Sequence, residues 1–247
     1  MNIWITGASE GIGAALARLY VERGHTVALS ARSAEKLQAL ASDLGPQATA
    51  VPVDVTDRTA MQAAAAQIEE TTGPIDMVIL GAAFWRQVQP LEFDAELIKG
   101  HFDVNVMGTV HGIEAVLPSM RRRRSGTIVG LASVAGYRGL PKSEGYSATK
   151  AALINMLESL RIDLRPCGIR VITVCPGFVR TRLTSKNTFP MPFMLEPDDA
   201  ARRIARGIDK GKAEVVFPLP MAVGMKALRL IPPGPYAWAV STFIRRN

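Results

Sequence analysis

Cysteine is scarce in this 247-residue chain: only Cys167 and Cys175 occur, both in or beside apolar runs. Buried free thiols are expected there rather than a bridge. With only three histidines besides, no Cys/His metal cluster can be assembled, so no metal site is expected. Long apolar runs are also missing, and none approaches the roughly 20 residues needed to cross a bilayer as a helix. "NIWIT" already reads as a strand from residue 2, which leaves no place for a secretory leader before it. These shortages point to an intracellular, cytoplasmic protein, soluble or peripheral to a membrane. No internal repeat or low-complexity linker breaks the chain, so a single domain over 1–247 is expected.

What is present is an ordinary globular composition, 48% hydrophobic and 21% charged, enough for a substantial core. Lys and Arg outnumber Asp and Glu by 29 to 22, giving +7. That excess suits an anionic cofactor, an acidic substrate or an anionic membrane surface, or is simply solvated. "RRRR" at 121–124 falls at a helix C-terminus, where the helix dipole favours cations. One such run does not support nucleic-acid binding.

Short apolar segments alternate with longer helical patterns. The strand candidates are "NIWITG", "HTVALSAR", "TAVPVDVTD", "IDMVILGAA", "GTIVGLASVAG", "GIRVITVCPG" and "AEVVFP". Between them lie six crossover helices, the fourth running from "ELIKG" through "DVNVMG" to "RRRR". The strands are near-continuous Val, Ile and Leu, the pattern of strands buried on both faces. An α/β fold follows: a doubly wound, Rossmann-like, seven-stranded parallel sheet with helices on both faces.

"TGASEGIG" (Thr6 to Gly13) links the first strand to the first helix. Gly7, Gly11 and Gly13 suit a tight turn where backbone approaches a pyrophosphate. The helix start behind them, with Ser9 and Ile12 in the turn, offers free N–H groups to phosphate. Further along stand Asp54 and Val55 after the third strand, Asn105 in "DVNVMG", and Ser133 in "GLASVAG". "YSATK" follows at 146–150 and "PGFVRT" at 176–181. In this order the segments resemble the short-chain dehydrogenase/reductase family, its members of about this length, over residues 1 to about 210. Two departures stand out. The family's Asn-Asn-Ala-Gly stretch after the fourth strand reads Leu80-Gly81-Ala82-Ala83 here, so only backbone contacts to a cofactor, as at Ala82, remain open to it. After Pro218 the glycine-containing ending of the tetrameric members is absent.

The resemblance implies a nicotinamide dinucleotide. An NAD-preferring site carries an acid at the end of the second strand for the ribose 2′-hydroxyl. Ala31 occupies that place and Arg32 follows, with Ser30 and Ser33 on either side. A guanidinium can stack on adenine and pair with a 2′-phosphate; Arg32 could also merely begin the next helix. Glu10, where many NADP-type relatives have a base, points the other way. NADP(H) is the preferred cofactor on this pattern and NAD(H) the alternative. The resemblance further assigns Asp54 and Val55 to the adenine, and Pro176, Gly177, Val179 and Thr181 to the nicotinamide carboxamide.

Catalysis by such a protein needs a managed proton beside the cofactor's hydride. A phenol with an ordinary pKa of about 10 is a poor base near neutrality. Tyr146 and Lys150 share a helix face at i, i+4. A nearby ammonium lowers a phenol's pKa, and about 3 units need roughly 4 kcal/mol. By the resemblance, Tyr146 is the acid/base and Lys150 its tuner and the ribose anchor. Ser133, 13 residues upstream, polarises the substrate oxygen, and Asn105 holds a water in a proton relay. Taken singly, Ser133 could end a strand and Asn105 could bond helix backbone.

The loop at 182–195 is expected to act as a substrate lid. Its Phe189, Met191, Phe193 and Met194, with Phe84 and Trp85 after the fourth strand, favour a hydrophobic carbonyl substrate unless the last two pack in the core. The helix from Ser147 to Leu164 is apolar on most of its circumference, so one side covers the sheet and another meets a symmetry mate. A homodimer is expected, with a tetramer less supported. The C-terminal extension, 219–247, could cap the pocket, extend the dimer, or rest on a membrane through Trp238, Phe243 and neighbouring bases. The rival to an enzyme is a catalytically weak NADP(H)-binding regulator or scaffold of the same fold.

Overall fold

In the computed structural model, residues 1–185, 187 and 189–245 are described, with side chains as far as residue 242. Lys186 and Thr188 of the expected lid, the Phe243 side chain and the last two residues lie outside the described residues. Seven strands form one sheet: β1 (Asn2–Thr6), β2 (Thr26–Ser30), β3 (Ala48–Ala50), β4 (Met77–Leu80), β5 (Gly126–Leu131), β6 (Ile169–Pro176) and β7 (Glu214–Phe217). Their spatial order is β3-β2-β1-β4-β5-β6-β7, and every pairing is parallel.

Neighbouring residues along each strand feed opposite cores. Ile3 and Ile5 of β1 pack on Leu16, Ala17 and Tyr20 of α1 (Gly11–Glu22), backed by α2 (Ala34–Leu44) and α7 (Pro197–Asp209). Trp4 points the other way, into a core with α3 (Arg58–Thr72), α5 (Gly108–Arg123) and α6 (Glu144–Leu164). Two buried faces explain why the strands read as unbroken apolar runs. The chain winds outward from β1 to β3, then returns to place β4 on β1's other side. Ligands in such sheets bind beyond the strands' C-terminal ends at that reversal.

Three details differ from the sequence-based expectation. The third strand is only three residues long. Val51 and Val53 still donate to Leu29 and Ala31, but Pro52 between them has no N–H and sits at the sheet edge. The fourth helical stretch is not one helix: α4 (Ala95–Phe102) passes through a π-helical turn, Asp103–Met107, into α5. Such turns recur at functional sites. The extension after β7, left without elements in the sequence reading, forms two helices, α8 (Leu219–Leu230) and α9 (Pro233–Arg245). No helix among the described residues is long and apolar enough to cross a membrane.

Candidate active site

Above the C-terminal strand ends lies a cleft of about 490 Å³. Its floor begins at the loop between β1 and α1. Gly7 and Gly11 adopt φ of 70° and 59°, the left-handed region that favours glycine. A Cβ on Gly13 would sit 2.2 Å from the Gly7 carbonyl oxygen, so the turn closes only without a side chain. Glu10 caps α1 with backbone alone, making no side-chain bond to the first turn. The N–H groups of that turn, with Ser9 and Ile12 beside it, are left facing the cleft as an anion site.

Toward the β2 end, Ala31, Arg32, Ser33 and Lys36 line the same cleft. Ser30 does not serve it: fully buried, its hydroxyl donates to the Val51 carbonyl and accepts from the Trp4 indole. The acid at Glu10 is paired with Lys36 at 3.1 Å. Asp54 and Val55 line the far wall, and one Asp54 oxygen accepts from both the N–H and the hydroxyl of Thr56.

The departure at Leu80–Ala83 has a structural answer. Thr6 Oγ1 accepts from the N–H of Gly81 at 3.1 Å and of Ala82 at 3.4 Å. Next to them, Asn105 brackets the Phe84 peptide: its Oδ1 accepts from Phe84 N at 2.6 Å and its Nδ2 donates to Phe84 O at 3.0 Å. His101 continues the clamp, donating from Nδ1 to Leu97 O and accepting at Nε2 from Arg86 N.

Ser133, Tyr146 and Lys150 meet at the inner end of the cleft. Ser133 follows two residues after the end of β5 and caps a short 3-10 turn, accepting from Ala135 N. Lys150, 2% exposed, donates to the Leu131 carbonyl at 2.8 Å, and its Nζ lies 5.4 Å from the centre of the Tyr146 ring. Pro176, Gly177, Val179 and Thr181 line the opposite side, with Val179 held by a bridge to Leu195. The arrangement, on this sheet order, has known counterparts. The family model of the short chain dehydrogenases matches residues 1–190.

The chain belongs to the short-chain dehydrogenase/reductase family.

An uncharacterised oxidoreductase of Myxococcus xanthus is 39% identical over 231 residues, 92% of this chain and 91% of its own. A short-chain dehydrogenase from Sphingobium yanoikuyae, solved with NADPH, superposes with a TM-score of 0.82 at 29% identity, covering 92% and 91% of the two chains. Another from Burkholderia phymatum, solved with NAD, gives 0.85 at 25% identity, covering 92% of each. As a short-chain dehydrogenase/reductase, the protein is an oxidoreductase acting on CH–OH groups.

Two features of this family member depart from the sequence-based picture. Asn105 is fully buried behind Phe84 and does not line the cleft. Its amide is spent on Phe84 and on Thr149 Oγ1, which in turn donates to the Tyr146 carbonyl. The side chain thus ties the loop after β4 to the turn of α6 carrying Tyr146. Nor does Lys150 depress the Tyr146 phenol here. Burial pushes Tyr146 up to about 12, only partly opposed by the Ser133 hydroxyl. Burial equally lowers Lys150 to about 8. Desolvation disfavours both charged forms, and neither shift owes anything to the other group.

Sequence reasoning missed three supports of the site: Thr6, His101 and Asn187. The Trp85 indole lies edge-on to Tyr146 and donates to Asn187 Oδ1 in the expected lid. No local pattern in the sequence marks a bond spanning 102 positions.

Proposed function

We propose that the protein is an NADP(H)-dependent oxidoreductase interconverting an apolar carbonyl compound and its alcohol. The observation that carries this reading is the convergence of Ser133, Tyr146 and Lys150 at the inner end of a glycine-floored cleft. The cleft suits a dinucleotide: side-chain-free backbone and an uncapped α1 N-terminus at one end, bases at Arg32 and Lys36. Gly7, Ser9, Gly11, Ile12 and Gly13 hold the pyrophosphate in this reading, and Asp54, Val55 and Ala82 border the adenosine half. Pro176, Gly177, Val179 and Thr181 hold the nicotinamide end, and the bound nicotinamide supplies the hydride.

The protein's own residues manage the oxygen. Ser133 donates a hydrogen bond to the substrate oxygen, and Tyr146 gives it a proton in the reductive direction. Lys150, held by Leu131, binds ribose hydroxyls, and only with the oxidised nicotinamide's positive charge beside it would the ammonium offset the burial that holds the Tyr146 phenol up. Asn105 is a positioning residue, fixing the Tyr146 turn against the loop at Phe84. Ala31 presents no carboxylate to repel a 2′-phosphate, and the exposed pair with Lys36 offsets part of the Glu10 charge. Phe84 and Trp85, both in the cleft wall, support an apolar substrate.

The enzyme acts as a homodimer in this reading. Within one chain, α6 buries only one face, through Gly145, Ser147, Lys150, Leu153 and Leu157. Its other face leaves Ala148, Ala151 and Ile162 exposed, a strip for a two-fold mate. Two free thiols suit a reducing compartment such as the cytoplasm.

The test is NADPH oxidation over a library of aldehydes and ketones, repeated with NADH and with Tyr146→Phe. The variant should lose at least about 100-fold in kcat, the scale of a lost general acid, and still bind NADPH. Turnover unchanged in the variant would discard the assignment. NADPH binding with no turnover of any carbonyl would favour the regulator instead.

A further inference from the structure

The C-terminal helices are fixed on one side and unpartnered on the other. On the inner side of α8, Ala222 is buried and Met221 and Met225 pack against the core. Lys226 is ion-paired with Glu214 and lies over the Tyr137 ring. The inner side of α9 is held by Tyr236, whose hydroxyl donates to Gly139 O and whose ring lies 4.3 Å from the Arg138 guanidinium. The helices are therefore docked.

Their outer side is apolar. Leu219, Val223 and Leu230 are 71%, 61% and 85% exposed. Spacings of four and seven put all three on one stripe of α8. On α9, Trp238 is 70% exposed and its neighbours Ala237 and Ala239 are exposed too. A monomeric surface rarely carries such a patch without a partner for it.

Charge identifies the partner. From residue 215 to 247 the sequence has four bases, Lys226, Arg229, Arg245 and Arg246, and no Asp or Glu. Arg229 has no acidic partner among the described residues. A second copy meeting this surface two-fold would set like charges against each other. An apolar stripe with a tryptophan and bases is what an anionic bilayer surface takes up. No helix among the described residues is long and apolar enough to cross a membrane, so any bilayer contact is at its surface.

We propose that α8 and α9 form a docking surface for an anionic lipid bilayer, seating Leu219, Val223, Leu230 and Trp238 at the acyl boundary with Arg229 among the headgroups. This goes beyond the proposed oxidoreductase activity and does not depend on it.

The test is co-sedimentation of the full chain with vesicles of phosphatidylcholine alone and of phosphatidylcholine mixed with phosphatidylglycerol. The protein should pellet with the mixed vesicles and be released by salt. Arg229→Glu should weaken binding by about five-fold or more. Leu230→Ser with Trp238→Ser, both exposed positions, should abolish binding while leaving the thermal melt unchanged. Three outcomes overturn the proposal: no pelleting, pelleting indifferent to phosphatidylglycerol, or self-association that depends on Leu230 and Trp238 without vesicle binding. The last would assign the surface to a second copy. Because the readout is binding, a failed carbonyl screen leaves it untouched.

Discussion

The Trp85 indole stands edge-on against the Tyr146 ring, centroids 5.4 Å apart and planes at 64°, while its Nε1 donates to Asn187 Oδ1 at 2.9 Å. One side chain thus walls the place where, in the proposed reaction, a carbonyl meets the phenol, and it is bonded to the loop that carries Asn187. Trp85→Ala should raise KM for a bulky apolar ketone about ten-fold or more, the scale of a lost aromatic contact in a specificity pocket. Binding of NADPH should not change. Asn187→Ala keeps the ring packing and frees the loop, so a smaller rise in KM is expected. Steady-state kinetics with a matched pair of large and small ketones checks both; equal effects on the two substrates would remove Trp85 from specificity.

In the proposed reading, cofactor choice rests on Ala31, Arg32 and Lys36, which line one end of the cleft. Arg32→Ala should raise KM for NADPH by about ten-fold, the worth of one charge-assisted pair, and scarcely alter KM for NADH. Ala31→Asp should lower NADPH use and improve NADH use, since a carboxylate repels the phosphate and accepts from the ribose hydroxyl. Measuring kcat/KM for both cofactors in each variant decides it.

The loop between Ser133 and Tyr146 is gripped from β7, from α9 and from the link between α8 and α9. Tyr137 donates to Glu214 at 2.5 Å, Tyr236 donates to Gly139 O at 2.6 Å, and Arg138 donates to Ile231 O at 3.1 Å. Removing the grip should misalign Ser133 relative to Tyr146. Tyr236→Phe with Arg138→Ala is expected to lower kcat several-fold with KM for NADPH unchanged. A fall in NADPH affinity instead would mean the grip shapes the dinucleotide cleft.

Lys150 and Tyr146 give stability a definite pH dependence. Lys150 falls from an ordinary 10.5 to about 8 on burial, so between those values the unfolded chain binds more protons than the folded one. Stability therefore rises with pH across that window, by up to about 3 kcal/mol for this group. Tyr146 rises from 10.0 to about 12, so the folded state holds its proton longer and stability falls as pH climbs through that range. Melting curves of the protein free of dinucleotide should show the rise between about pH 8 and 9, below the range where Cys175 and the buried tyrosines, all pushed up by burial, oppose it, and Lys150→Met should abolish it. A rise that persists in the variant would assign it elsewhere.

Much of the fold is legible in the sequence because it rests on local rules. Unbroken Val, Ile and Leu runs announce strands buried on both faces, and the glycines of Thr6 to Gly13 announce a turn whose backbone leaves no room for Cβ. Tyr146 and Lys150 share a helix face by spacing alone. The six crossover helices are visible in their periodicity, whereas α8 and α9 are obscured by prolines at 218, 220, 232, 233 and 235. The π-helical turn at Asp103–Met107 leaves no distinct mark either, since its residues continue an ordinary helical pattern.

Long-range contacts are another matter. That Asn105 spends its amide on Phe84 and Thr149, that Thr6 stands in for the missing asparagines, and that Ser30 is consumed by Trp4 and Val51 are decided only when distant elements pack. So is the upward push on Tyr146, because desolvation depends on what surrounds a group, and spacing to a lysine carries no information about that. By itself the sequence determined the sheet and the glycine turn after β1, through backbone sterics and hydrophobic periodicity, and it named the side chains proposed to react. Only the tertiary structure decided which polar groups remain free to act, because each buried donor and acceptor must first be satisfied by a partner that sequence distance does not name.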